Sequence, residues 1–268
     1  MSRIETTLRG LRQADRTALM PYLTVGYPER DSALTLIPAL VDGGADLIEL
    51  GVPFSDPLAD GPTIQAAGQQ ALRNGITLTR CLEQAAALRH QGVTVPFVLM
   101  GYYNPILQLG VAAFAAQAAR AGIDGVIVPD LPPEEAAAVR AACAAHGLDL
   151  IFLLAPTADT ARIDIVTACT DGFVYLVSLV GVTGARDHLS EDLATFVARV
   201  RSATDKPLAV GFGISTPAQA ARVARIADGV IVGSALIDAI SYADAPAEAA
   251  ARFVEALRVA LDAARSAP

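Results

Sequence analysis

Residues 47–65 read LIELGVPFSDPLADGPTIQ, a short apolar run that passes into a connection rich in glycine and proline. The run Asp46–Leu50 is apolar except at Asp46 and Glu49, so it predicts a strand that is covered on both faces. The glycines and prolines that follow interrupt any regular element until a helix begins near Pro62. This order of strand, loop and helix is typical of parallel α/β folds.

The rest of the chain repeats this unit from end to end. Segments of helical period separate eight apolar runs of strand length, at a spacing of roughly 25 to 35 residues. The predicted strands are Leu19–Thr24, Asp46–Leu50, Pro96–Met100, Gly125–Val128, Leu148–Leu153, Phe173–Val177, Pro207–Val210 and Gly229–Val232. Eight such units in about 250 residues predict an α/β fold of the (β/α)₈ TIM barrel type, forming a single domain over residues 1–268. The amphipathic segment Ile4–Asp15 is expected to cap the bottom of this barrel. A doubly wound open sheet is the main alternative, but the sequence lacks the dinucleotide fingerprint that this fold uses.

Residues that favour helix starts mark where several helices are expected to begin. Asp31 is expected to open the first helix that follows a strand, and Thr216 with Pro217 a later one. The segment Pro132–Glu135 is expected to open the helix after the fourth strand, with Asp130 as its capping residue.

The composition argues against several classes of protein. Hydrophobic residues make up 53% of the chain, and the net charge of -8 argues against a nucleic-acid footprint. The longest apolar runs have the length of strands, so no membrane span is expected. The first residues carry no apolar signal segment, and three cysteines at unrelated spacings favour buried thiols over disulfides or a metal cage. These features together predict a protein of the reducing cytoplasm.

Glu49 is the first candidate for catalysis. The alternation of side chains along a strand turns Glu49 and Leu47 toward the barrel axis, while Ile48 and Leu50 face the helices. A structural glutamate would pair with an interior arginine or lysine, but the other predicted strand ends carry no basic residue. Burial without such a partner is expected to raise the pKa of this carboxyl group, as an acid/base catalyst requires.

Other acidic residues at the strand ends are ambiguous on chemistry alone. Asp60 follows Glu49 in the glycine- and proline-rich loop, where an aspartate is either a turn former or a second acid/base group. Asp56 has the same two interpretations and lies midway in the loop. The sequence by itself leaves both open.

Glycines after the seventh and eighth predicted strands indicate an anion site. The chain reads GFGIS at residues 211–215, and Gly233-Ser234 opens an extra short helix after strand eight. Barrels commonly bind phosphate between these two loops, through bare backbone N–H groups and the N-terminus of such a helix. The loop Leu179–Ser190 between strand six and its helix is expected to act as a lid.

The remaining residue types restrict the reaction class. Lys206 is the only lysine and precedes a strand, which is the wrong end of a barrel for Schiff-base chemistry. His90, His146 and His188 are far apart, so metal-assisted chemistry is not expected. The sequence therefore predicts proton transfer by carboxylates on a phosphorylated ligand, without metal or cofactor in this chain. Phe212, Leu99 and Ile151 are expected to line the rest of the pocket.

Five segments in the same order resemble the signature of the tryptophan synthase alpha chain family. They are LIELGVPFSDPLADGPTIQ (47–65), MGYYNPI (100–106), VPDLPPEE (128–135), GVTGAR (181–186) and GFGIS (211–215). These motifs are spread over nearly the whole chain. The resemblance implies retro-aldol cleavage of indole-3-glycerol phosphate to indole and glyceraldehyde 3-phosphate.

The resemblance also implies roles for individual residues. It implies that Glu49 is the acid/base that protonates indole C3 and accepts the proton of the glycerol hydroxyl, and that Asp60 stabilises charge at the indole N–H. The implied substrate contacts are Tyr102, Tyr175, Thr183 and Phe212, and the implied phosphate contacts are Gly184, Gly213, Gly233 and Ser234. Two departures from the family pattern are Tyr27, where the family often has aspartate, and Leu179-Val180 at the start of the lid.

The same resemblance implies a partner. This is the tryptophan synthase β chain, which carries pyridoxal phosphate and forms an αββα heterotetramer with two alpha chains. The segment Pro53–Asp60 and the lid are the expected contacts. Three alternatives remain: a stand-alone lyase that releases free indole, a non-catalytic activating subunit, and another phosphosugar barrel such as an epimerase.

Overall fold

The computed structural model describes residues 1–177, 188–211 and 213–266, and these form a barrel of parallel strands surrounded by helices. The strands are β1 Ala18–Thr24, β2 Ile48–Gly51, β3 Phe97–Met100, β4 Gly125–Ile127, β5 Asp149–Ile151, β6 Leu153–Leu154, β7 Val174–Val177, β8 Leu208–Gly211 and β9 Gly229–Val232. The helices are α1 Arg3–Gln13, α2 Ala33–Asp42, α3 Pro62–Arg73, α4 Leu78–His90, α5 Tyr103–Leu109, α6 Val111–Arg120, α7 Ala137–Ala145, α8 Thr160–Cys169, α9 His188–Arg201, α10 Pro217–Ala224, α11 Ser234–Ser241 and α12 Pro246–Ser266. The predicted (β/α)₈ barrel is confirmed, with the extra short helix α11 directly after the last strand. None of the described helices combines the length and the apolar character needed to cross a membrane.

The barrel closes within the fifth predicted strand. The strand order is β5-β4-β3-β2-β1-β9-β8-β7-β6, so its two ends belong to one continuous stretch, residues 149–154. The first half of this stretch pairs with β4 and the second half pairs with β7. Phe152 lies at the division, where its N–H donates to Thr170 Oγ1 and its carbonyl accepts from Tyr175 N–H. The described residues therefore form nine strands where the sequence predicted eight.

Side chains alternate between the barrel interior and the layer between strands and helices. Leu47 packs in the interior cluster, whereas Ile48 and Leu50 pack in the outer cluster with the helices. Ile4 and Leu8 of α1 join the interior cluster, so this helix covers the bottom of the barrel as expected. The predicted inward direction of residue 49 follows from the same alternation.

A repeated aspartate fixes the bottom ends of the strands. Asp46, Asp124, Asp171 and Asp228 each donate their N–H to a carbonyl on the neighbouring strand and accept the N–H of that same residue with their carboxylate. Three of these carboxylates are also held by an arginine, through the pairs Arg258–Asp46, Arg89–Asp124 and Arg201–Asp228. Each aspartate therefore sets the register between two strands at the end of the barrel away from the loops.

Some helix starts differ from the predictions. Thr216 and Pro217 open α10 with a capping box, as expected. The helix after Asp130 begins only at Ala137, so the prediction for Pro132–Glu135 is wrong by several residues. Asp130 instead accepts the N–H of Tyr103 at the start of α5, so it caps a neighbouring helix rather than its own. For α2 the capping position is Ser32, one residue after Asp31.

Candidate active site

Glu49 lies inside the upper end of the barrel. Its strand, β2, places it between Tyr22 of β1 and Val98 of β3. The residue is 2% exposed, and its Oε1 atom has no hydrogen-bond partner among the described residues. Burial raises the pKa of this carboxyl group to about 8, and the charge of Asp60 contributes in the same direction. With a pKa of about 8, the Glu49 carboxyl group is mostly protonated at neutral pH but can also lose its proton there.

Glu49 faces a cavity of about 220 Å³ at the mouth of the barrel. The residues that line it come from the ends of β1, β2, β3, β7 and β9 and from the loops that follow several strands. They are Tyr22, Glu49, Asp60, Gly61, Ile64, Met100, Tyr175, Gly213, Ile214, Ser215, Ile231, Gly233, Ser234, Ala235 and Asp238. The cavity therefore joins the two predicted acid/base residues to the predicted anion site.

The loop after β2 brings Asp60 to the cavity. The hydroxyl of Tyr102 accepts the N–H of Ala59 at 3.0 Å and hydrogen-bonds the Asp60 carboxylate, so it holds the loop from below. Phe54 stacks on the Tyr102 ring with 5.2 Å between centroids. Burial raises the pKa of Asp60, and the hydrogen bond from Tyr102 opposes this by stabilising the charged form. The sequence left Asp60 ambiguous, and the structure places it in the wall of the same cavity as Glu49.

Three of the residues that line the cavity have features that favour an anion. Gly213 adopts a φ of 79°, a conformation that side chains rarely tolerate. Gly233 is the N-cap residue of α11 and Ser234 is its first residue. Free N–H groups at a helix N-terminus attract anions, and a glycine allows a ligand to approach the backbone closely. Gly213, Gly233 and Ser234 all line the cavity, and their binding of phosphate stays a prediction.

The other predicted contacts have different outcomes. Tyr175 is 4% exposed and lines the cavity. Tyr102 does not line it and instead contacts the loop that carries Asp60. Thr183, Gly184 and Phe212 lie outside the described residues, as does most of the predicted lid Leu179–Ser190.

Some lining residues escaped the sequence analysis. Tyr22, Ile64 and Ile231 were not predicted, although Tyr22 and Ile231 stand at the inward phase of their strands. The prediction for Leu99 is wrong, because Leu99 packs against the helices and Met100 lines the cavity in its place. Ile151 points into the barrel but does not reach the cavity. The strand register explains two of these positions. Tyr22 and Val98 are the neighbours of inward-facing Glu49, so Tyr22 also faces inward, as does Met100, two residues after Val98.

Asp56 and Lys206, which the sequence analysis did not assign to catalysis, do not line the cavity. Asp56 is exposed and accepts a hydrogen bond from Ser55. Lys206 donates to the carbonyls of Thr167 and Thr170 at the bottom of the barrel, so its position at the wrong end is confirmed. Among the described side chains that line the cavity are three carboxyl groups, Glu49, Asp60 and Asp238, and the first two are those that the sequence predicted for proton transfer.

The sequence profile of the tryptophan synthase alpha chain family matches residues 8–265 of this chain. The tryptophan synthase alpha chain of Roseiflexus sp. strain RS-1 is 58% identical over 258 residues, which cover 96% of this chain and 98% of that protein. The crystal structure of tryptophan synthase subunit alpha from Legionella pneumophila str. Paris superposes with a TM-score of 0.92 at 40% identity, covering 98% of this chain and 99% of that one. A chain from the aminoacrylate-bound form of tryptophan synthase from M. tuberculosis matches with a TM-score of 0.88 at 38% identity, covering 97% of this chain and all of that one. The chain belongs to the tryptophan synthase alpha chain family.

Proposed function

We propose that this chain is the carbon–carbon lyase that cleaves indole-3-glycerol phosphate to indole and glyceraldehyde 3-phosphate, the alpha reaction of tryptophan biosynthesis. One observation carries the proposal: Glu49, a buried carboxyl group whose pKa is raised to about 8, shares a cavity with Asp60 and with the N-terminus of α11 at Gly233 and Ser234. A retro-aldol cleavage needs a group that first gives a proton and then accepts one. A carboxyl group whose pKa is close to the working pH does both.

The reaction can be followed through the residues of the cavity. Glu49 gives its proton to indole C3, and Asp60 stabilises the positive charge that appears at the ring N–H by accepting a hydrogen bond from it; any proton that Asp60 takes up there returns to the nitrogen when the electron pair comes back to the ring. The bond between C3 and the glycerol carbon then breaks, and its electron pair returns to the ring. The hydroxyl of that carbon gives its proton to the Glu49 carboxylate as the aldehyde forms. Glu49 ends the cycle protonated, and the protonated ring serves as the electron sink.

Substrate binding divides between the two ends of the cavity. Gly213, Gly233 and Ser234 bind the phosphate group through backbone N–H groups and the N-terminus of α11. Gly184 is proposed as a further phosphate contact, and Thr183 and Phe212 as contacts of the ring. Tyr175 lies beside the ring from β7. Tyr102 acts through Asp60, whose loop it supports.

Turnover is expected to decrease above about pH 8, because Glu49 must carry a proton to protonate the ring. The kcat/KM of indole release, measured from pH 6 to pH 10, should fall about tenfold per pH unit above the midpoint. A profile that keeps rising to pH 10 would contradict the assignment of Glu49 as the initial acid.

Gly213→Ala is expected to raise the KM for indole-3-glycerol phosphate by roughly 10- to 100-fold, because the strained methyl group disturbs charge-assisted hydrogen bonds to phosphate. Inhibition by glycerol phosphate should weaken in parallel, whereas kcat should change less. Gly75→Ala is the matched control, since Gly75 has a φ of 80° in an exposed turn away from the cavity. An equal effect of both variants would indicate general strain instead of a phosphate contact.

The chain is proposed to work with a tryptophan synthase β chain in an αββα complex, with pyridoxal phosphate on that partner. Two exposed apolar side chains support this: Leu58 of the loop that carries Asp60 is 90% exposed, and Leu107 of α5 is 53% exposed. Tyr102 stacks on Phe54 and accepts the N–H of Ala59 in this loop. A partner that contacts the loop would therefore affect the position of Asp60. The complex is proposed to reside in the cytoplasm, with residues 1–268 as one domain.

The test is indole release from indole-3-glycerol phosphate by the purified chain, with and without a tryptophan synthase β chain. Turnover that rises when the β chain is added would support both the reaction and the partnership. Turnover that is high and unchanged by the β chain would favour a stand-alone lyase. A folded chain that binds glycerol phosphate but never releases indole would refute the proposal and favour a non-catalytic subunit.

A further inference from the structure

Gln219, the third residue of α10, is tied to the loop that carries Gly213. Its side-chain oxygen accepts three hydrogen bonds, from Ser215 N–H at 2.8 Å, from Ser215 Oγ at 3.0 Å and from Thr216 N–H at 3.1 Å. Its own N–H donates to Thr216 Oγ1 at 3.3 Å. Ser215 lines the cavity, whereas Gln219 is not among the described residues that do so. Gln219 therefore contacts the wall of the cavity from outside.

Two of these hydrogen bonds exceed what the start of a helix needs. A capping box requires one bond from the N-cap N–H to the side chain at the third helical position, and Thr216 N–H supplies it. The other capping box of the described chain, at the start of α1, has only this bond, from Ser2 N–H to Glu5 Oε2 at 3.0 Å. The two bonds from Ser215 are thus an addition that restrains the loop before α10.

The restrained loop carries backbone donors that are free to bind an anion. Among the described residues, neither the Gly213 N–H nor the Ile214 N–H donates a hydrogen bond. The side chain of Ile214 is 6% exposed and packs in the outer cluster, which fixes one point of the loop. Ser215, held by Gln219, is the next fixed point. Gly213 itself has wide conformational freedom, so the direction of these N–H groups depends on the two fixed points.

We propose that Gln219 is a positioning residue of the phosphate site, which holds Ser215 in place and thereby directs the N–H groups of Gly213 and Ile214 toward the phosphate of the substrate. The inference rests on the proposed function for the identity of the ligand. Gln219 touches neither the phosphate nor the reacting atoms and acts through the loop. A loop that is ordered in advance loses less conformational entropy when the ligand binds, so its affinity is higher.

Gln219→Met tests this role, because methionine keeps the length and the helix propensity of glutamine but has no amide oxygen to accept the three hydrogen bonds. The Kd of glycerol phosphate, measured by isothermal titration calorimetry, should rise roughly 5- to 20-fold. The KM for indole-3-glycerol phosphate should rise in parallel. The kcat should stay within about threefold of wild type, because Glu49 and Asp60 are unchanged.

Two further variants separate positioning from charge and from stability. Gln219→Glu keeps an oxygen that accepts the same three donors but adds a negative charge near the phosphate, so positioning predicts tighter binding of glycerol phosphate than in Gln219→Met. The reverse order would show that charge governs binding and would overturn the proposal. Glu5→Met is the matched control, since it removes the capping bond of α1 at the bottom of the barrel. It should lower thermal stability and leave the Kd unchanged.

The titration does not depend on turnover, so it separates this inference from the proposed reaction. Weaker binding by Gln219→Met supports the positioning role even if indole is never released. A Kd within about twofold of wild type in Gln219→Met, or an equal rise in Glu5→Met, would overturn it. A wild-type chain that releases indole but does not bind glycerol phosphate would overturn it as well, while leaving the reaction in place.

Discussion

Glu49→Gln is expected to lower kcat for indole release by about 10³- to 10⁴-fold. The amide has nearly the shape of the carboxyl group but can neither give a proton to the ring nor accept one from the hydroxyl. Substrate should still bind, because the variant leaves the proposed phosphate contacts Gly213, Gly233 and Ser234 unchanged. Steady-state indole release measures the rate, and inhibition by glycerol phosphate measures the remaining binding. Activity within tenfold of wild type would remove Glu49 from the mechanism.

The same variant should gain stability at alkaline pH. The folded pKa of Glu49, about 8, lies above its ordinary value of 4.5. The stability that its protonated form contributes is complete below the ordinary value and is lost as pH rises through about 8. Glutamine cannot ionise, so the variant should exceed wild type at pH 9 by about 2 to 5 kcal/mol, and by less at pH 6. Urea unfolding at the two pH values measures the difference, and a variant that is less stable at both would contradict the burial argument.

Asp124→Ala is expected to cost about 3 to 5 kcal/mol of unfolding free energy, because it leaves a partly buried charge without its partner. Arg89 contacts Asp124 at 2.7 Å, with exposed side-chain fractions of 16% and 12%. Its guanidinium group lies over the Phe97 ring, 3.7 Å from the centroid. Phe97 N–H, which donates to Asp124 at 2.8 Å, would also lose its acceptor at the start of β3.

Glu83→Ala is the matched control for Asp124→Ala. The Arg80–Glu83 pair has a distance of 2.5 Å, but its side chains are 42% and 53% exposed, so solvent screens it and its loss should cost much less than the loss of Asp124. Urea unfolding of both variants gives the comparison. Equal losses would show that the aspartates at the strand starts are no more important than surface ion pairs.

The sequence was informative where an unusual residue type interrupts a regular pattern of apolar residues. An acidic residue inside an apolar strand is costly unless it is used, so Glu49 could be found without a structure. The glycines after the last two strands were likewise visible in the sequence, and the structure places Gly213 and Gly233 in the wall of the same cavity as Glu49. The eight apolar runs were sufficient to predict the barrel, because parallel strands covered on both faces are distinctive.

Other features depend on contacts between distant parts of the chain. Tyr22 looks like an ordinary apolar strand residue until the register places it beside Glu49. Asp130 was expected to cap the helix that follows it, but the adjacent β3–α5 connection brings Tyr103 N–H closer. The prediction for Leu99 was wrong by one position along β3. Because side chains alternate between the two faces of a strand, an error of one residue exchanges the barrel interior for the helix-facing side.

The closure at Phe152 has a consequence for behaviour at high concentration. A sheet that ends in unpaired strands offers its free backbone groups to other chains and so favours aggregation. Here the two terminal positions of the strand order are halves of residues 149–154, so the described strands present no free edge. A change that straightened this one stretch would expose β4 and β7 together, in a chain that is 53% hydrophobic. Solubility during folding therefore depends on six residues that lie far from the catalytic groups in sequence.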